Sequence, residues 1–408
     1  MSPYSPLLTL VILSMAVLAL TPGAWWSFLD SDTPPHGNRY VSLDGLRGFL
    51  AMAVVIHHTA VTYGYLGTGQ WIVPPSDFYT LLGQAGVAVF FMITAFLFWG
   101  RLLDTGARME WFSLYCNRFF RITPLYLVAI LFMFAAVACR TGFALHVPVR
   151  DLLSQLFRWL LPALVKADYA PAINGLEKPW IAIAGVTWTL YYEWMFYFSL
   201  PLLMIGARFR KAWAFLPALF ALYFFAPGMF SGVEKFFMAL FAFGMIAATL
   251  VRRYPRILGD RAWKSVLVIA LLALLLTTSH TAYRWGPILL LAAVFLLVCS
   301  GASLFGLLHQ RGAVRMGTIS YGIYILQGPV LTMVFAPDVL GGLALQSQPV
   351  YWLAAVGNAL ALIAVAAIAH RYIEQPGIDL GKRLAARAQR VIAGPTLTSP
   401  AAAAPQDR

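Results

Sequence analysis

Eleven apolar runs of about 16–23 residues occupy most of this chain. They lie at roughly 7–28, 44–64, 79–99, 120–139, 182–205, 212–227, 232–251, 264–280, 285–305, 318–336 and 350–370. About 20 residues of helix cross a bilayer's hydrocarbon core, and a backbone inside lipid must satisfy its own hydrogen bonds. The pattern predicts an all-α, polytopic integral membrane protein with about 11 transmembrane helices. Composition agrees. Of 408 residues, 61% are hydrophobic and 11% charged, against about 25% charged in an ordinary globular domain.

The net charge of +13 does not point to nucleic acid, because the basic residues fall in short clusters between the runs, as membrane topology requires. Placing the C-terminus in the cytoplasm puts 22 of the 29 Lys and Arg residues inside and 7 outside. Five of those seven lie in one long loop, 140–181, and eleven spans then leave the N-terminus outside. The first run has no basic residue before Arg39 and reads as a retained helix rather than a cleaved signal peptide. In the external loop, DLLSQLFRWLLPALV (151–165) carries Asp151, Ser154, Gln155 and Arg158 at helical spacing, as an interfacial helix does. The chain divides into an extra N-terminal helix with a short linker (1–40), a membrane domain (41–385) and a disordered cytoplasmic tail (386–408), rich in Ala, Pro, Ser and Thr. Cys116, Cys139 and Cys299 show no metal-binding spacing, and the seven histidines form no HxxxH or HExxH pattern, so no metal centre is expected.

Within this apolar background a few polar side chains stand out. The stretch LDGLRGFLAMAVVIHHTAVTYG (43–64) is interrupted by Arg47, His57 and His58. Arg47 and His58 are eleven positions apart, three helical turns plus about 20°, so both share one face about 16 Å apart along the axis. His57 points about 80° away. Ionisable groups inside a membrane helix are costly and mark function; the alternative is a satisfied core histidine with an interfacial arginine anchor. In NRFFRITPLYL (117–127), Arg118 and Arg121 lie on one face near the cytoplasmic start of the fourth span, suited to an anionic phosphate or to lipid headgroups. Glu193, in TWTLYYEWMFYFSLPLL (187–203), is the one acidic residue well inside an apolar run. It needs a partner, a proton or a wet cavity. GVAVFFMITAFLFWGR (86–101) has small residues at Gly86, Ala88 and Ala95 for close helix packing. SYGIYILQGPV (320–330) carries Ser320, Tyr321, Tyr324 and Gln327 in a polar band.

Taken in this order, the five stretches resemble the acyltransferase-3 family of integral-membrane acyltransferases. The family opens with LDGLRG and an arginine, ten residues, then histidine, matched by Arg47 and His58. GVAVFFMITAFL resembles its next segment, with Thr94–Ala95 for the usual Ser–Gly. Arg118 and Arg121 match its RxxR, Trp188 to Tyr197 its WSLxxExxFY-like segment, and RYIEQP (371–376) its closing motif. Gln327 stands where the family often has histidine, and the first span precedes the family's usual start. The resemblance covers about residues 41–385 and implies a ten-helix core behind one extra helix.

It also implies a function: transfer of an acyl group, expected to be acetyl, from cytoplasmic acyl-CoA to a hydroxyl of a cell-envelope glycan or lipid-linked sugar, in a bacterial-type inner membrane. His58 would be the catalytic base, Arg47 would hold the donor or polarise its thioester, and Arg118 and Arg121 would bind the coenzyme A phosphates. Glu193 would orient His58 or the acceptor. Partners are then the bilayer, acyl-CoA and a carbohydrate acceptor, with no metal and no nucleic acid. The rival expectation is a proton-coupled transporter or flippase using Arg47, His58 and Glu193 as its pathway.

Overall fold

The computed structural model describes residues 3–30, 40–106, 109–161, 172–208 and 232–393. The run 212–227, the linker from 31 to 39 and the tail from 394 lie outside the described residues. Among those described, helices dominate: α1 (Pro6–Leu20), α2 (Val41–Thr68), α3 (Asp77–Asp104), α4 (Trp111–Arg140), α5 (Val149–Leu160), α6 (Trp188–Arg208) and α7 (Glu234–Arg253). Then follow α8 (Ala262–Thr278), α9 (Trp285–Cys299), α10 (Arg311–Thr318), α11 (Ser320–Val334), α12 (Gly342–Gln346), α13 (Gln348–Ala369) and α14 (Gln375–Ala393). Among the described residues the extended pairing is a single bridge between Ile173 and Leu176.

Helices fall on ten of the eleven apolar runs. Five segments are long and apolar enough to cross a membrane alone: α2, α3, α4, α7 and the continuous Gln348–Arg390 segment. A sixth forms if α11 and Pro337–Gln346 count as one span bent by 57°. α1, α8 and α9 are apolar but shorter. The protein is therefore a multi-pass membrane protein with five or six such spans among its described residues.

Boundaries follow local chemistry. α2 ends at Gly69, whose φ of 70° suits glycine and whose N–H returns to the Tyr65 carbonyl. α4 begins at Trp111, nine residues before its apolar run, so Arg118 and Arg121 sit two to three turns inside the helix rather than at its start. Pro124 is then internal, and its missing N–H frees the Phe120 carbonyl. Gly377 of α14 packs directly on that carbonyl, where a larger residue has no room. α14 itself runs on to Ala393, so residues 386–393, assigned above to the tail, are helical. Part of the 140–181 segment is α5, whose Trp159 is buried and gives its carbonyl to the Tyr126 hydroxyl at 2.6 Å; residues 162–165 lie outside the described residues.

Glycines let the central helices approach closely. Gly244 of α7 faces the Met92 carbonyl and Ala95 of α3, and Gly86 faces Val54 of α2, the close packing expected of the 86–101 stretch. α2 packs on α3, α10 and α11, and α11 also meets α4 and α13.

The N-terminal helix is locked to this core. Arg315 of α10, 1% exposed, donates to the carbonyls of Leu20 (2.8 Å), Pro22 (2.8 Å) and Gly23 (3.1 Å) just past the end of α1. It also pairs with both oxygens of Asp30, at 2.8 Å each. Carbonyls at a helix end have no partner within the helix; a buried guanidinium supplies one here. Arg311 reaches Asp30 at 2.6 Å. Hydrogen bonds from Arg315 and Arg311 hold the Asp30 carboxyl well below the usual carboxylate range.

Candidate active site

Two polar faces meet along the α2–α11 contact. Ser320 and Gln327 are seven residues apart, two turns on one face of α11, as Arg47 and His58 share one face of α2. Arg47 Nη2 donates to Ser320 Oγ at 3.0 Å, and His58 Nδ1 meets Gln327 Oε1 at 2.8 Å. Asp44, one turn before Arg47, lies 3.9 Å from it. Arg47 and His58 thus each find a partner on one neighbouring helix.

Around the Arg47 end lies a cavity of about 260 Å³, built from α2, α3, α4, α6 and α11. Four guanidinium-bearing residues line it, Arg47, Arg101, Arg118 and Arg121, and Glu193 is the one carboxylate on its described wall. Phe90, Phe91 and Phe98 make part of it apolar, while Thr189, Tyr197, Tyr321 and Tyr324 add hydroxyls. An excess of fixed positive charge inside low-dielectric walls attracts an anion strongly. Arg118 lies over the Phe98 ring, 4.7 Å from its centroid, which fixes one face of its guanidinium. Glu193 Oε1 accepts from the Tyr197 hydroxyl one turn along α6, and the Tyr197 carbonyl accepts from Tyr115 of α4 at 3.1 Å. Tyr321 ties α11 to α4 by donating to the Ile122 carbonyl at 2.6 Å.

The structure therefore gathers Arg47, Arg118, Arg121 and Glu193 around one cavity and sets His58 about three turns further along α2, outside that lining. Glu193 does not orient His58; its hydrogen bond goes to Tyr197, and Gln327 is the residue bonded to His58. His57 is engaged elsewhere, with Nδ1 on the Tyr79 carbonyl at 2.8 Å and its ring packed on Gly83.

Two residues at this site escaped sequence reasoning. Arg101 reads in sequence as one more topology charge. Glu374 belongs to a segment noted only for its resemblance. It is buried at a wide π-type turn, His370–Glu374, between α13 and α14. Its Oε1 lies 3.8 Å from Arg121 Nε, and its Oε2 pairs with His370 Nδ1 at 2.9 Å. Among the described residues no three His, Cys, Asp or Glu gather as metal ligands do.

A family model described as an acyltransferase domain matches residues 40–369. The chain is 26% identical over 381 residues to nodulation protein 10 of Rhizobium leguminosarum bv. viciae, a match spanning 86% of this chain and 96% of that one. It is 27% identical over 387 residues to the acyltransferase MdmB of Streptomyces mycarofaciens, covering 86% and 95% respectively. No solved structure matches.

Proposed function

Because this chain belongs to the acyltransferase-3 family, and so is a membrane enzyme that transfers acyl groups, we propose that it moves an acetyl group from cytoplasmic acetyl-CoA to a hydroxyl of a cell-envelope glycan or its lipid-linked precursor. The observation that carries this reading is the convergence of Arg47, Arg118, Arg121 and Glu193 on one cavity. Guanidinium forks match phosphate oxygens, so Arg118 and Arg121 hold the phosphates of coenzyme A, with Arg101 at their side. Arg47, three turns from His58 on the same face of α2, holds the acyl donor at the cavity.

A hydroxyl is a weak nucleophile at neutral pH and needs a base at the point of attack. His58 removes the acceptor's proton as the hydroxyl oxygen bonds to the thioester carbon. The carbon–sulfur bond then breaks, and the coenzyme A thiolate leaves and takes up a proton. Transfer is direct, with no acyl-enzyme. In this reading the protein lies in an inner membrane with its C-terminus in the cytoplasm, and residues 41–385 form the catalytic domain.

The test is mass spectrometry of envelope glycans from cells with the protein, without it, and with His58→Ala. An acetyl increment seen with the wild type alone is the expected result. Unchanged glycans, together with a substrate that still crosses the membrane without acetyl-CoA, would favour a transporter.

A further inference from the structure

Gln327 is wholly buried and has both ends of its amide committed. Its Nε2 donates to the Tyr324 carbonyl at 2.7 Å, one turn back on α11. A carbonyl can only accept, so the amide nitrogen must be the end that faces it. The amide oxygen is then the atom 2.8 Å from His58 Nδ1. An amide oxygen also only accepts, so the proton between them belongs to His58 Nδ1. Neutral His58 therefore carries its lone pair on Nε2. The Trp71 ring lies nearby, its centroid 6.1 Å from that of His58 with 31° between the planes, and limits how the imidazole can turn.

We infer that Gln327 is a positioning residue that fixes His58 as the Nδ1–H tautomer and presents Nε2 as the proton acceptor; this rests on the reading of His58 as the base. The bond also outlasts the proton transfer. When Nε2 gains the acceptor's proton, Nδ1–H still points at an amide oxygen, which steadies the imidazolium without taking the proton itself. Gln327 thus does for this imidazole what a buried carboxylate does elsewhere, but without a charge.

Among the described residues, the titratable groups near His58 are few. His57 on the same helix has its ring centroid 5.1 Å away, and its Nδ1–H is held by the Tyr79 carbonyl. From α11, Tyr324 points its hydroxyl at Val186 and Thr189. From the chain after α2, Trp71 carries no titrating group. A change at Gln327 should therefore read out through His58 alone.

The experiment uses full-length protein in native membranes that contain the glycan acceptor, with release of coenzyme A from acetyl-CoA measured against pH. Gln327→Glu keeps the size and puts a carboxylate against Nδ1. A facing negative charge favours the protonated ring, so the acid limb of kcat/KM should move up by about 1–2 pH units. Gln327→Leu should lower kcat by about 10- to 100-fold, the worth of a hydrogen bond to a charged group, with the KM for acetyl-CoA unchanged. Nitrogen-15 NMR of labelled histidines in the purified protein gives a readout apart from activity. One histidine resonance pair, absent in His58→Ala, should show Nδ1 protonated in the wild type and lose that preference in Gln327→Leu. An unmoved acid limb in Gln327→Glu, in a protein that His58→Ala inactivates, overturns this inference while the base reading stands. An active His58→Ala overturns both.

Discussion

Glu374, the last residue of the turn before α14, faces Arg121 of α4, with Oε1 of the carboxyl 3.8 Å from Nε of the guanidinium. The carboxyl is 1% exposed and its other oxygen holds His370. One buried carboxylate thus answers both a cavity arginine and the turn that launches the C-terminal helix. Removing one member of a buried polar cluster strands the others. Glu374→Ala should lower the melting temperature in detergent by several degrees, whereas Glu374→Gln, which can still accept from His370, should cost less. Equal melting curves for all three proteins would show that the contact contributes nothing.

Arg118→Ala with Arg121→Ala should raise the KM for acetyl-CoA tenfold or more, since each charge-assisted phosphate contact is worth about 1.5–3 kcal/mol. Double replacement by lysine should recover part of the loss, keeping charge without the planar fork. Donor titrations on well-expressed variants decide it. Unchanged KM would leave the pair as lipid anchors.

The neighbouring histidines should separate cleanly. His58→Ala should reduce turnover by about 10²–10⁴-fold, the usual worth of a general base, with membrane insertion intact. His57→Asn should keep most activity, because its amide can still donate towards the Tyr79 carbonyl. Comparable losses at both positions would contradict the assignment.

Acid should loosen the N-terminal seam. The folded Asp30 carboxyl is held below its unfolded range by Arg315 and Arg311. Its stabilising contribution is therefore complete above about pH 4, the unfolded value, and fades as pH falls towards the folded one. Melting temperature followed from pH 6 down to pH 3 should drop more steeply for the wild type than for Asp30→Asn. Parallel curves would remove Asp30 from the acid response.

A topology reporter joined after Arg390 should report the cytoplasm, and one inserted after Phe143 the opposite side. Agreement between the two would overturn the proposed orientation.

Helical spacing made much of the candidate site legible. Arg47, Arg118, Arg121 and Glu193 are charges that an apolar helix cannot carry without cause, and all four line the cavity. Three other features were not visible. Glu374 approaches Arg121 from more than 250 residues away through a wide turn, a contact no local period encodes. Arg315 looks like a cytoplasmic topology charge, yet it is buried. The first turns of α4 carry no hydropathy signal, because Trp111 to Asn117 mix polar and aromatic residues. Gln327 was visible as a polar residue, but its role depends on which atom of the amide faces Tyr324, and only coordinates carry that.

The Arg315 clamp also has a history within each molecule. Leu20, whose carbonyl it holds, precedes it by 295 residues. At about 5–20 residues per second, synthesis separates them by roughly 15–60 s. During that interval the carbonyls at the end of α1 await a partner not yet made. Closing this seam is therefore a late step of biogenesis, and a helix made early is among the last to find its place.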